Sequence, residues 1–131
     1  MQKSDYSILI VDDTDIILEL LQLQLENESY QITTAASGKE ALDILNSRGF
    51  DLILLDIEMP EMSGIDLLKL IRSNENTCNI PIFMLTAQND TSSVKVCLDL
   101  GANDYLLKPF NAVTVKQRIW KFFQKKNKQK L

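Results

Sequence analysis

The sequence has 131 residues, of which 45% are hydrophobic and 24% charged, and its formal net charge is −4 at pH 7. This length and this balance are typical of one globular domain with a hydrophobic core, and they exclude a disordered chain, a collagen-like repeat and a disulfide-stapled miniprotein. Because the chain has no histidine, Ser-His-Asp and Cys-His catalysis, a His-ligated zinc ion and a phosphohistidine are excluded as well.

Short apolar runs alternate along the chain with longer stretches of helical periodicity. The β-branched run at residues 7–11 predicts a strand buried on both faces, and the amphipathic pattern at 15–28 predicts a helix. Alternation at 30–35 predicts an edge strand. A capping box opens a helix at 37–47, and the apolar run at 51–55 predicts a central strand.

The second half of the chain continues this alternation. We expect a helix at residues 64–72, a strand at 81–85, and a helix at 90–100 that a glycine ends. A short strand at 105–107 and a last helix capped by Asn111 follow. Five strands alternating with five helices predict an α/β, doubly wound fold, in which a five-stranded parallel sheet carries helices on both faces.

Charges and cysteines indicate partners and compartment. Residues 116–131 hold seven lysines and arginines and no acid, whereas the first 115 residues hold all 18 acids. This pattern argues against direct nucleic-acid binding and predicts a carboxylate-rich site in the acidic body. No apolar run reaches the roughly 18–20 residues of a membrane span, and the N-terminal run is unlike a signal peptide. Cys78 and Cys97 lack a CxxC motif, which favours free thiols and a cytoplasmic location.

Reactive side chains follow four of the five predicted strands. Asp12 and Asp13 follow the first strand, Asp56 the third, Thr86 the fourth and Lys108 the fifth. Ligand sites of open α/β sheets lie beyond the carboxyl ends of the strands, so these side chains are expected to converge. The alternatives are a helix cap for one of the first two acids, a plain strand end for Asp56, and a surface position for Lys108.

The chemistry of this set indicates phosphoryl transfer. Three crowded carboxylates repel one another unless a cation lies among them, and Mg²⁺ is the ion that best suits a site without histidine or cysteine. Lys108 and Thr86 add an amine and a hydroxyl for phosphoryl oxygens, while Asp56 is placed for in-line attack. A cis bond between Lys108 and Pro109 would aim the lysine into the site.

Four motifs carry a family resemblance: Ile10-Val11-Asp12-Asp13, Leu54-Leu55-Asp56-Ile57-Glu58-Met59-Pro60-Glu61-Met62-Ser63-Gly64, Leu85-Thr86-Ala87 and Gly101-Ala102-Asn103-Asp104-Tyr105-Leu106-Leu107-Lys108-Pro109-Phe110. In this order and spacing they resemble the receiver domain of two-component response regulators, the CheY-like superfamily. The resemblance implies the strand order 2-1-3-4-5 of this flavodoxin-like topology. It divides the chain into a receiver domain at residues 1–125 and a basic C-terminal tail at 126–131, which we expect to be frayed.

The resemblance also implies a role for each site residue. Asp56 is the phosphoacceptor, which takes a phosphoryl group from a sensor histidine kinase or a histidine phosphotransfer protein. Mg²⁺ is bound by Asp13, by Asp56 and by the backbone carbonyl of Glu58, while Asp12 acts through water. Lys108 contacts the phosphoryl oxygens.

A conformational switch is implied in the same way. Thr86 moves toward the phosphoryl group, Tyr105 rotates into the vacated space, and the small Ala87 leaves room for the phosphoryl group. The alternative for Tyr105 is a plain core aromatic. Glu58 and Gln88 flank the route of the hydrolytic water and tune the kinetics, and the acid at position 58 predicts a phosphoryl lifetime that is not exceptionally short.

The switched surface would be the face made by the fourth helix, the fifth strand and the fifth helix. The aromatic residues of the fifth helix are explained by core packing or by a partner surface that exposes Trp120 or Phe123. Four charges resemble those through which some transcription-factor receivers form homodimers: Lys95, Asp99, Asp104 and Arg118. Besides the phosphoryl donor and a second copy of the chain, the expected partner is a downstream target or an output domain.

These observations favour a phosphorylation-controlled switch, either a stand-alone response regulator or the receiver part of a larger regulator. Such a domain is not an enzyme beyond its own self-catalysed phosphorylation and dephosphorylation. A Mg²⁺-dependent aspartyl phosphatase of the haloacid-dehalogenase type is the first alternative, but it needs a second aspartate where Glu58 stands. A flavodoxin-like electron carrier is the second, but it needs a glycine-rich phosphate loop where this chain has three acids.

Overall fold

A computed structural model describes residues 2–87 and 89–129 of the chain. The strands are β1 (Ser7–Val11), β2 (Gln31–Ala35), β3 (Leu52–Asp56), β4 (Ile82–Ala87) and β5 (Asp104–Lys108). The helices are α1 (Asp15–Glu26), α2 (Gly38–Ser47), α3 (Gly64–Ser73), α4 (Thr91–Asp99) and α5 (Ala112–Gln129), and a 3₁₀ turn at Lys3–Asp5 precedes β1.

The five strands form one parallel sheet in the order β2-β1-β3-β4-β5. Both the doubly wound (βα)₅ fold and the predicted strand order are therefore confirmed. In register, Val11 lies beside Leu55, Asp56 beside Leu85, and Ala87 beside Lys108. The carboxyl ends of the four strands that carry reactive residues consequently meet at one edge of the sheet.

Two hydrophobic layers hold the helices against the sheet, because side chains alternate between the two faces of each strand. α2, α3 and α4 pack on one face, and α1 and α5 pack on the other. The strand residues of the first layer include Leu9, Ile53 and Met84. Those of the second layer include Ile8, Leu54 and Phe83.

Most elements differ from their predicted bounds by one or two residues at an end. α1 ends at Glu26 rather than at residue 28, because the chain turns there and Ser29 adopts a φ of 75°. β5 extends to both sides of its predicted range, because it pairs with β4 along its whole length. α5 continues past residue 125 to Gln129, where lysines favour the negative end of the helix dipole. Residues 130 and 131 lie outside the described residues.

Phe123 of α5 belongs to the core, and Trp120 and Phe122 are partly buried against it. Phe123 is 2% exposed, and its ring stacks on that of Tyr6 with centroids 4.1 Å apart. Trp120 is half-buried and meets Tyr6 edge-on at 6.2 Å. The partner-surface prediction is thus wrong for Phe123. Cys78 and Cys97 are both free, as predicted, and within the described ranges no helix combines the length and apolarity required to cross a membrane.

Gly64 fixes how α3 begins beside the end of β3. A Cβ added at this position would lie 1.9 Å from the carbonyl oxygen of Asp56, which no side chain tolerates. The N–H of Gly64 also donates a hydrogen bond of 2.8 Å to the carbonyl of Ile57. This close approach holds the β3–α3 loop, including Glu58, against the carboxyl edge of the sheet.

Candidate functional site

The two acids after β1 have different surroundings. Asp12 is fully buried, whereas Asp13 is exposed. The carboxylate of Asp12 accepts a hydrogen bond of 2.9 Å from the backbone N–H of Thr14, which occupies the cap position of α1. No side-chain hydrogen bond caps α1. The alternative interpretation of these acids as helix caps is therefore wrong.

Lys108 lies at the end of β5, and its side chain contacts an acid that follows β1 and an acid that ends β3. Its Nζ lies 3.0 Å from Oδ1 of Asp56 and 3.1 Å from Oδ2 of Asp12. Asp56 is 4% exposed at the end of β3, and the Lys108–Pro109 bond is cis. Lys108 is thus directed into the predicted site rather than toward solvent.

Three carboxylates converge beside this amine. Asp12, Asp13 and Asp56 each offer an oxygen, and these oxygens lie within 4.8 Å of one another. An all-oxygen set with excess negative charge suits a hard divalent cation such as Mg²⁺, which takes few protein carboxylates and keeps several waters. The donor set therefore fits the predicted ion.

Burial and mutual contact shift the pKa values of Asp56 and Lys108. Desolvation raises the pKa of Asp56 to about 6, although the hydrogen bond from Lys108 opposes the shift, and the charge of Asp12 raises it further. Burial by itself lowers the pKa of Lys108, but the hydrogen bonds and charges of Asp56 and Asp12 outweigh it and raise that pKa. At neutral pH the site therefore combines a charged amine with a carboxylate that is mostly ionised.

A cavity of about 330 Å³ opens from these groups toward α4. Thr86 lines it at the end of β4, 2% exposed, with its hydroxyl 3.4 Å from the carbonyl of Ala87. Glu58 lines the same cavity from the exposed rim, and its backbone N–H donates a hydrogen bond to Asp56. All five strand-end residues and Glu58 thus belong to one site, while Gln88 lies outside the described residues.

Tyr105 borders a neighbouring surface groove rather than the cavity itself. This groove of about 330 Å³ runs between α4 and β5, and Ala87 and Asp90 line both spaces. The half-buried ring of Tyr105 also packs against the core layer that includes Met84 and Cys97. In the sheet Tyr105 pairs with Met84, two residues before Thr86 on β4, a position compatible with the predicted switch.

Asp90 is a further residue of this site, and no sequence motif singled it out. Asp90 caps α4 by accepting a hydrogen bond of 3.3 Å from the N–H of Ser93, and it lines the cavity together with Asp13, Asp56 and Glu58. The signal was present, because an aspartate at a helix start shortly after a strand-end threonine lies at the same edge of the sheet.

Comparison with known proteins gives a consistent result. The family model of the response regulator receiver domain matches residues 8–120. The alkaline phosphatase synthesis transcriptional regulatory protein PhoP of Bacillus subtilis is 40% identical over 112 residues, which are 86% of this chain and 46% of that protein. A putative response regulator from Chloroflexus aurantiacus has a crystal structure with a TM-score of 0.84 and 39% identity, covering 87% of this chain and 93% of that one.

A second solved structure bears on the acidic pocket. The receiver domain of a sensor histidine kinase from Pseudomonas aeruginosa PAO1 has a TM-score of 0.78 and 33% identity, covering 87% of this chain and 93% of that one. That protein holds a magnesium ion coordinated in its active-site cleft. The present chain spans about half the length of the curated relatives it matches.

Proposed function

The chain belongs to the response regulator receiver domain family, and we propose that Asp56 is its phosphoacceptor in a two-component or phosphorelay system. The observation that carries the proposal is the position of the Lys108 amine, which contacts both Asp12 and Asp56 beside the exposed Asp13. The proposal is supported by a carboxylate, a fixed amine and further oxygen ligands around one point, which phosphoryl transfer to Asp56 would require.

In the proposed reaction, a carboxylate oxygen of Asp56 attacks the phosphorus of a phosphohistidine on a sensor kinase or a histidine phosphotransfer protein. An O–P bond forms and the P–N bond breaks. The departing imidazole nitrogen keeps the electron pair and takes a proton from solvent. Asp56 is mostly unprotonated at neutral pH, since its pKa is about 6, and Lys108 holds a phosphoryl oxygen of the product. Hydrolysis later returns the carboxylate and releases inorganic phosphate.

Mg²⁺ would be held by the carboxylates of Asp13 and Asp56 and by the backbone carbonyl of Glu58, with Asp12 acting through water. When bound, it supplies positive charge that offsets the carboxylates and the phosphoryl oxygens. The magnesium ion in the cleft of the P. aeruginosa relative and the all-oxygen donor set of this chain support this assignment.

The proposed switch starts at the buried hydroxyl of Thr86. Its movement toward the phosphoryl group vacates space at the end of β4, and the neighbouring ring of Tyr105 rotates into that space. The change alters the α4–β5–α5 face, which is the site for a downstream target, an output domain or a homodimer. Glu58 stands on the exposed rim of the cavity, where its charge repels hydroxide and gives a phosphoryl lifetime that is not exceptionally short; Gln88 is the second proposed determinant of that lifetime.

The phosphoryl donor docks on α1 in this proposal. α1 begins beside Asp13, and its solvent-facing side carries a row of exposed apolar residues: Ile16 at 72%, Leu20 at 40% and Leu23 at 62%. Because this row leads up to the phosphorylation site, a donor helix packed along it would bring its histidine to Asp56. The single occupant we assign to the row is the kinase or phosphotransfer protein.

A receiver domain is not a classical enzyme, and we propose that the chemistry of this chain is limited to its own phosphorylation and dephosphorylation, in the cytoplasm. Neither the phosphatase nor the electron-carrier alternative gains support, because the family model and the solved structures agree on a receiver domain.

The test is phosphorylation by a small donor followed by intact mass measurement. Incubation with acetyl phosphate and Mg²⁺ should add one phosphoryl group, about 80 Da, to the wild-type protein. The gain should vanish in Asp56→Asn and without the metal, and it should persist in Asp43→Asn, which alters an exposed acid on α2. Equal phosphorylation of the Asp56→Asn protein would refute the proposal.

A further inference from the structure

We propose that Arg118 acts as a latch on Tyr105, holding the ring in the position that borders the α4–β5 groove and thereby opposing the phosphorylated state. This inference rests on the proposed function, because it concerns the rotation of Tyr105 that accompanies phosphorylation. Arg118 is a positioning residue in this role, since its guanidinium does not reach the reacting atoms.

The latch consists of three residues from two elements. The guanidinium carbon of Arg118 on α5 lies 5.5 Å from the ring centroid of Tyr105 on β5, within the range of a cation–π contact. Nη2 of the same guanidinium lies 2.5 Å from Oδ1 of Asp104. That oxygen also accepts a hydrogen bond of 2.8 Å from the backbone N–H of Tyr105.

One carboxylate oxygen thus fixes the guanidinium and the backbone of Tyr105 together. The ion pair is only partly exposed, with 37% and 29% of the Arg118 and Asp104 side chains accessible. Because Asp104 holds Arg118 in place beforehand, little side-chain entropy is lost when the guanidinium meets the ring. The contact therefore favours the observed position of Tyr105.

Rotation of the ring toward Thr86 separates it from the guanidinium and loses this contact. Coupling between two sites is reciprocal, so whatever opposes the rotation also weakens binding of the ligand that requires it. Removing the latch should accordingly raise the affinity of the site for beryllofluoride, a stable mimic of the phosphoryl group. A cation–π contact of this exposure corresponds to an increase of about two- to fivefold.

Two other roles for Arg118 predict a different result. If Arg118 acted only through its positive charge, its loss would weaken the binding of anionic beryllofluoride. If it acted through a homodimer on the α4–β5–α5 face that favours the phosphorylated state, its loss would weaken binding again. Both roles therefore give a change opposite in sign to that of the latch.

The experiment is a titration of the full chain with beryllofluoride in the presence of Mg²⁺, followed by NMR at the backbone amide of Thr86. Arg118→Gln should bind about two- to fivefold more tightly than wild type. Lys121→Gln is the matched control, because it removes the same charge from an exposed position of the same helix, and its affinity should equal that of wild type. Arg118→Lys keeps the charge but lacks the planar guanidinium that Asp104 holds in place, so it should show part of the increase.

The same substitution of Arg118 in a Tyr105→Ala protein tests whether the effect acts through the ring. If the latch acts on the ring, Arg118→Gln should have no further effect on affinity once the ring is absent. Unchanged or weaker binding by Arg118→Gln, an equal gain in Lys121→Gln, or a gain that persists in the Tyr105→Ala background would each overturn the latch. In those cases the wild-type protein still binds beryllofluoride, whereas its failure to bind would overturn the proposed function as well.

Discussion

At the scale of a single residue, Asp56 meets two opposing requirements, because it has to be both ionised and buried. A nucleophilic carboxylate must be ionised, yet an acid that is 4% exposed at the end of an apolar strand is costly to ionise. The amine of Lys108 at 3.0 Å offsets part of this cost, and the remainder appears as a pKa of about 6. The residue that carries the proposed chemistry therefore destabilises the metal-free fold at neutral pH.

This cost predicts how stability depends on pH. Because the pKa of Asp56 is higher in the folded protein than its ordinary value of 3.8, the folded protein binds more protons between about pH 4 and pH 6, and stability falls as pH rises through that window. Asp56→Asn removes the cost and should raise the free energy of unfolding at pH 7.5 by about 1–2 kcal/mol. Urea unfolding of both proteins in metal-free buffer measures this difference in the free energy of unfolding.

The gain from Asp56→Asn should shrink as pH falls from 6 to 4 and approach zero below the ordinary pKa of 3.8, where the wild-type carboxyl is protonated in both the folded and the unfolded chain. Asp43→Asn, at an exposed position, serves as the control and should show no such dependence. A gain of the same size at pH 4 and pH 7.5 would mean that burial of charge is not the cause.

At the scale of elements, the start of α3 determines the shape of the site. The carbonyl of Asp56 occupies the space where a Cβ of residue 64 would be. Gly64→Ala must push α3 away from β3, so we expect a loss of about 2–3 kcal/mol in the free energy of unfolding, together with slower phosphorylation by acetyl phosphate. Gly49→Ala is the matched control, because a Cβ at that position meets nothing within 4 Å. An unchanged urea midpoint for Gly64→Ala would contradict this account.

The exposed row on α1 leads to a second prediction at this scale. Ile16→Ser and Leu23→Ser should each slow phosphotransfer from a phosphorylated histidine phosphotransfer protein by about fivefold or more, since central apolar contacts dominate such interfaces. Phosphorylation by acetyl phosphate should stay unchanged, because the small donor does not need α1. Leu70→Ser, which alters an exposed leucine of α3, is the control for both rates.

A parallel slowing of both reactions would show that the α1 variants damage the phosphorylation site itself. Equal transfer rates for wild type and both variants would instead place the donor on another surface. Rapid-quench measurements of transfer, with the donor in excess, distinguish these results.

At the scale of the whole molecule, much of the architecture was predictable from the sequence. Strict alternation of apolar runs and helical patterns predicted the parallel sheet, and the reactive residues at strand ends predicted the cluster around Asp56 and Lys108. The sheet and the cluster both follow from the local sequence pattern, together with the rule that ligand sites of open α/β sheets lie at the carboxyl ends of the strands. The strand order came from the family resemblance, because periodicity alone does not specify which strands are neighbours.

What the sequence did not provide depends on contacts between distant segments. Asp90 joins the cavity only because α4 starts at the edge of the sheet where Asp13 and Asp56 also lie, and Arg118 meets Tyr105 only because α5 packs next to β5. In each case tertiary packing supplied the missing information.

The close approach at Gly64 ties the start of α3 to the backbone at the end of β3, where the carbonyl of Asp56 fills the space of a Cβ. Open volume extends from Asp56 toward the start of α4, where Ala87 and Asp90 border both the cavity and the groove of Tyr105. If Asp56 carries a phosphoryl group as proposed, the surface between α4 and β5 is therefore the one whose shape should change with it.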